Sequence, residues 1–136
     1  MKLKGCILIL FTLSVFSEIF TQGYEIKITL SNVEIIDECH FGDDWSADFS
    51  CGGKYRDGDT FSLEPNQKFG LTSRIFEGEE IHNDHEQTTT VIAYEDLEIG
   101  RYKYEELLYV EDKNTGRYEC NNATFRFSYI IRVTEK

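Results

Sequence analysis

The chain has 136 residues, enough for one domain, and 14% of them are aromatic while only one is proline. Its formal net charge is −11, which disfavours a nucleic-acid partner because phosphates would be repelled. Abundant aromatic and β-branched residues with few long helix-forming runs predict an all-β fold.

Residues 1–23 predict a secretory signal peptide. Lys2 and Lys4 give a basic start, and residues 6–16 are apolar over a length too short for a membrane span, which needs about 20 residues. Thr21-Gln22-Gly23 indicates cleavage before Tyr24, and cleavage after Ser17 is the alternative. We therefore expect a secreted, extracellular domain over residues 24–136. Removing residues 1–23 takes away two Lys and one Glu, which leaves a net charge of −12.

Seven segments of this domain predict strands, because apolar and polar residues alternate or β-branched residues run together. They cover residues 24–30, 45–51, 61–63, 69–75, 88–94, 102–110 and 123–133. The first segment has room to continue past a kink at Ser31-Asn32, and the sixth would also suit a helical turn at Glu105-Glu106-Leu107-Leu108. Turn residues at regular spacing favour a single antiparallel β-sandwich of about seven to eight strands.

The last segment has the longest alternation, with aromatic and aliphatic residues on one face and Thr, Arg and Ser on most of the other. We expect its apolar face to form a core with residues of the first two segments. The predicted core residues are Phe125, Phe127, Tyr129, Ile131, Val133, Trp45, Phe49, Ile26 and Ile28.

Acidic residues gather in two loops, at residues 37–44 and 95–98. Calcium takes six to eight oxygen ligands, so two Asp-rich loops at one end of a sandwich could share an ion. The alternative is that the loops of an acidic protein are simply acidic. The predicted calcium ligands are Asp37, Asp43, Asp44 and Asp96. No other cofactor is predicted.

Patterns for other chemistry are weak. His82-x-x-His85 with Asp84 would need His40 close by to hold zinc or copper, and such spacing is common by chance. No nucleophile elbow, zinc-protease motif or Gly-rich phosphate loop occurs. We predict no catalytic residues and a protein that is not an enzyme.

Without the signal peptide the chain keeps Cys39, Cys51 and Cys120, so one bridge would leave one cysteine over. If seven strands alternate up and down, Cys51 and Cys120 lie at the same end, and Cys39 lies at the other. This predicts the disulfide Cys51–Cys120. One extra strand between Ile81 and Arg117 would reverse the last strand and favour Cys39–Cys120 instead.

Asn122-Ala123-Thr124 is the one glycosylation sequon in the sequence. It stands just before the last predicted strand, where a glycan could stand clear of the core. The secretory route makes Asn122 a predicted glycosylation site.

The order of these features resembles a C2-type β-sandwich. Residues 26–30 followed by Asp37, then Gly42-Asp43-Asp44 leading into a strand, are similar to the C2 opening, with Asp44-Trp45-Ser46 where typical C2 domains have Asp-Pro-Tyr. Residues 91–96 ending at Ile99-Gly100 are similar to the later acidic loop. The strand over 125–133 also resembles that of secreted C2-like modules such as the N-terminal module of Notch ligands.

This resemblance implies an extracellular recognition domain. We therefore predict a secreted binding or interaction module whose partner is an extracellular protein or glycan. The alternative is a calcium-dependent C2-like domain that binds a membrane or a glycan.

Overall fold

The computed structural model describes residues 22–39, 41, 44–77, 85–111 and 122–136. They form β1 (Tyr24–Cys39), β2 (Trp45–Cys51), β3 (Thr60–Leu63), β4 (Lys68–Glu77), β5 (His85–Ala93), β6 (Gly100–Glu111) and β7 (Asn122–Glu135), with one 3₁₀ turn at Tyr94–Asp96. The all-β prediction is confirmed, and the ambiguous sixth segment is a strand. No helix within these ranges is long and apolar enough to cross a membrane.

The strands form two sheets. One has four strands in the order β3-β1-β7-β6, and the other has three in the order β2-β4-β5. Every neighbouring pair is antiparallel. The fold is therefore the predicted antiparallel sandwich, with β1 and β7 in the middle of the larger sheet.

The first strand is longer than its sequence pattern predicts. β1 continues through the expected kink as far as Cys39, and the kink is a register shift between Leu30 and Asn32 in its pairing with β7. A second shift falls between Ile35 and Asp37. Such bulges bend a strand without ending it, which lets β1 follow β7 along nearly its whole length.

The core lies between the sheets and is built on the inner face of β7. Phe125, Phe127 and Tyr129 are completely buried. The rings of Trp45 and Phe49 meet this face edge-on, and Trp45 itself is only half-buried. The predicted core is confirmed, because Ile26, Ile28, Ile131 and Val133 are buried in the same cluster.

Aromatic contacts between the sheets also fix the direction of β2. Trp45 packs on Phe125 with ring centroids 4.9 Å apart, and Phe49 packs on Tyr129 at 5.1 Å. β2 therefore runs in the same direction as β7, and both run opposite to β1. We call the end of the sandwich where β1 begins the Tyr24 end, and the end where β1 finishes the Cys39 end.

β3 breaks the simple alternation of strand directions. It pairs antiparallel with β1, so it runs in the same direction as β2, which precedes it in the chain. The segment 52–59 returns part of the way before β3 starts, and Gly58 N–H donates a hydrogen bond to the carbonyl of Ile28 on β1. As a result, β7 begins at the Cys39 end.

Candidate anion-binding surface

The structure separates the carboxylates predicted to bind calcium. Asp37 lies opposite Thr124 in the β1–β7 ladder, near the Cys39 end, and Asp44 directly precedes Trp45 at the same end. Asp96 belongs to the 3₁₀ turn after β5, where it accepts a hydrogen bond from the backbone of Ala93.

That turn lies at the Tyr24 end, since Tyr94 stacks on Tyr24 with ring centroids 4.5 Å apart. Thirteen residues of β1 separate Tyr24 from Asp37, roughly 40 Å of strand. The predicted site that includes Asp96 is therefore wrong, because its loops occupy opposite ends. Asp43 lies outside the described residues, and among those described no group of three His, Cys, Asp or Glu could hold a metal.

The predicted disulfide is also wrong, because Cys51 is a free, buried thiol. Phe49 is level with Tyr129, so Cys51 lies level with the later part of β7. About nine residues of strand, roughly 30 Å, then separate it from the start of β7, far beyond disulfide reach. Cys39 is disulfide-bonded, and Cys120 lies outside the described residues. The physical reason for the error is the shared direction of β2 and β3.

Two further sequence predictions fall at the edges of what the structure describes. Asn122 is the first residue of β7 and is half-buried opposite Cys39 and Glu111, so its glycosylation stays a prediction. Of the residues considered for zinc or copper, His40, His82 and Asp84 lie outside the described residues, and His85 is the first residue of β5.

A buried polar network joins the two sheets near the gap between β5 and β6. Ser73 on β4 and Thr90 on β5 both donate hydrogen bonds to the carboxylate of Glu106 on β6. The Tyr129 hydroxyl lies 2.5 Å from the Ser73 hydroxyl. Because the Ser73 hydroxyl donates its one proton to Glu106, the Tyr129 hydroxyl is the donor in the Ser73–Tyr129 hydrogen bond. Burial raises the pKa of the Tyr129 phenol. Glu106 is 6% exposed, so this network supports the packing of the two sheets.

The outer face of the four-stranded sheet carries a different constellation. Lys27 on β1 lies directly opposite Arg132 on β7, which lies directly opposite Arg101 on β6. All three side chains are exposed. Directly opposed residues of adjacent strands project from the same face, so the three form a line across the sheet. We call Lys27, Arg132 and Arg101 the basic row.

The basic row has no carboxylate partner among the described residues. Elsewhere on the same face, Arg126 pairs with Glu34 at 2.9 Å, and Lys103 pairs with Glu105 at 3.2 Å. Glu25 stands two residues from Lys27 on β1 but makes no ion pair with the row. Because like charges directly opposite each other destabilise a sheet, the row lowers stability where it stands.

The row borders a shallow depression of about 160 Å³. Thr29 and Ile130 line it together with the three basic residues. Its volume is well below the roughly 300–1,000 Å³ of a pocket for a drug-sized ligand. It has room for one small anionic group, and its lining combines the apolar side chain of Ile130 with three cationic side chains.

Sequence reasoning missed this surface. Each of its basic residues sits at a polar position of an alternating segment, which indicates only that it faces solvent. The three are far apart in the chain, and only the registers of β6 and β1 against β7 bring them into line. No family model, curated protein or solved structure matches this chain.

Proposed function

We propose that this protein is a secreted extracellular binding module that recognises a negatively charged partner through the basic row. The observation that supports the proposal is the line of Lys27, Arg132 and Arg101, which has no carboxylate partner within the described part of the chain, on a protein with a net charge of −11. Such an arrangement lowers folding stability unless an anion neutralises it, so its favourable contribution would come from binding.

A C2-like fold remains part of this proposal. What supports it is the pair of antiparallel sheets, together with the sequence features at residues 26–30 and 91–96. The calcium-dependent version of the proposal loses its support, because Asp96 is at the opposite end from Asp37 and Asp44. We therefore expect recognition to be independent of calcium.

The test compares the mature chain 24–136 with two variants that lose the same charge. In the row variant, Lys27→Gln, Arg101→Gln and Arg132→Gln are combined. In the control variant, Lys54→Gln, Arg56→Gln and Lys68→Gln are combined, since these residues are also exposed and make no ion pair in the described structure. Circular dichroism first establishes that all three proteins are folded.

Each protein is immobilised and exposed to soluble extracellular material, with calcium or with a chelator. We expect wild type and the control variant to retain the same anionic components, released by raised salt, and the row variant to lose them. Equal retention by all three proteins would refute the proposed surface. Retention that disappears with the chelator would refute calcium independence.

A further inference from the structure

We infer that the partner of the basic row is a linear sulfated polysaccharide, one of whose sulfate groups sits in the depression between Lys27, Arg101 and Arg132. This inference rests on the proposed function and names its ligand class.

The shape of the charged region argues for a linear ligand. The row crosses three adjacent strands about 4.8 Å apart, so it is about 10 Å long and one residue wide. Beside it on the same face, β7 has the uncharged Thr134 and Ile130, β1 has Glu25 opposite Thr134, and β6 has Lys103 opposite Ile130, where Lys103 is paired with Glu105. A flexible chain with anionic groups at intervals can follow such a line, while contacting little of the surface on either side.

The chemistry of the depression argues for a tetrahedral oxyanion. Arg101 and Arg132 each present a planar guanidinium that can donate two parallel hydrogen bonds to an oxyanion, and Lys27 adds a third positive charge. Thr29 also lines the depression, and its hydroxyl can donate one further hydrogen bond. A sulfate has enough oxygen atoms to use several of these donors at once, whereas a carboxylate has only two.

The charge of the rest of the protein argues against an anionic membrane as the partner. A bilayer presents a broad field of negative charge that would face the whole acidic protein, whereas a polysaccharide chain presents one line of charge. The large exposed apolar residues of β6, Leu107 and Tyr109, lie six and eight residues from Arg101 along that strand, roughly 20 and 26 Å away. Ile99, two residues before Arg101, is the exposed large apolar residue of the described structure that stands nearest to the row in the chain. One such side chain offers little apolar area for insertion into a bilayer.

The experiment titrates wild type, the row variant and the control variant with sulfated oligosaccharides of defined length. Matched probes are the same oligosaccharides after removal of sulfate with carboxylates kept, inorganic sulfate, and vesicles of phosphatidylserine with phosphatidylcholine. We expect affinity to rise with chain length until the ligand spans the row, and then to level off. The row variant should bind at least about tenfold more weakly, because several charge-assisted hydrogen bonds are lost, and the control variant should bind like wild type.

The outcomes separate this inference from the proposed function. If the desulfated chains bind as tightly as the sulfated ones, or if only the vesicles bind through the row, the ligand class is wrong while the proposed surface stands. If the sulfated chains bind the row variant and wild type equally, they use another surface, which refutes the inference. Inorganic sulfate should inhibit oligosaccharide binding to wild type and to the control variant more strongly than chloride does at the same ionic strength, which would support the depression as the sulfate site. Inhibition no greater than that by chloride would contradict that placement.

Discussion

Cys39 lies directly opposite Asn122 in the β1–β7 ladder. Cys120 precedes Asn122 by only two residues, so the chain can bring it within reach of Cys39 and cannot bring it to Cys51. This relationship converts an ambiguous set of three cysteines into one expected pairing.

We predict that Cys39 and Cys120 form the disulfide of the mature protein. The bridge closes a loop of about 80 residues, so its removal by Cys39→Ser should lower the free energy of unfolding by about 2–5 kcal/mol. Mass spectrometry of a non-reduced digest checks the pairing, with Cys51→Ala as the control that must leave the linked peptide in place. A peptide containing Cys51 linked to either of the other cysteines would show that the directions of β2 and β7 relative to β1 are wrong.

The Cys51 thiol should resist chemical modification in the folded protein. Burial, with a smaller contribution from the negative charge of Asp59, raises its pKa to about 12. Since the thiolate is the reactive form, labelling by an alkylating reagent at pH 8 should be slow until denaturant unfolds the chain. Labelling of native Cys51 at the rate of an unfolded peptide would contradict this expectation.

The same raised pKa predicts a dependence of stability on pH. The unfolded thiol ionises near pH 9, whereas the folded thiol stays neutral until about pH 12. The contribution of the neutral Cys51 thiol to the free energy of unfolding is therefore fully present below pH 9 and is lost as the pH rises from 9 towards 12. Denaturant titrations should show a steeper fall over this range for wild type than for Cys51→Ala, and parallel curves for the two proteins would contradict the assignment.

Deleting the Phe127 ring should test the core directly. Phe127 is completely buried and stacks near Tyr129, with ring centroids 6.2 Å apart. Phe127→Ala should lower the free energy of unfolding by about 3–5 kcal/mol through lost burial and the cavity left behind. Phe127→Leu, the matched control, should lose clearly less in chemical denaturation, and a loss near zero for the alanine variant would mean that another face of β7 is inside.

Substitutions at Glu106 should separate the contribution of its hydrogen bonds to stability from the contribution of its charge. Glu106→Leu leaves the Ser73 and Thr90 hydroxyls without their acceptor, which should cost on the order of 1–3 kcal/mol for each group left unsatisfied. Glu106→Gln should cost less, because its amide can accept from one hydroxyl and donate to the other. Denaturant unfolding at pH 7 compares them, and a leucine variant at least as stable as the glutamine variant would show that the hydrogen bonds contribute little.

The sequence by itself determined the all-β class, the seven strands and the face of β7 that is buried. These follow from local periodicity, because side chains alternate across a strand whatever its neighbours are. Phe125, Phe127 and Tyr129 can be assigned to a core in this way without knowledge of which strands flank them.

Only the tertiary structure decided which strands are neighbours and in which direction each runs. The shared direction of β2 and β3 cannot be read from local pattern, yet it places Cys51 far from the start of β7, which Cys120 precedes by two residues in the chain. In the same way, the loops with Asp37 and Asp96 look equivalent in sequence but lie at opposite ends of the sandwich. The basic row exists only through cross-strand register, since Lys27, Arg101 and Arg132 become neighbours when β1 and β6 pair with the two edges of β7.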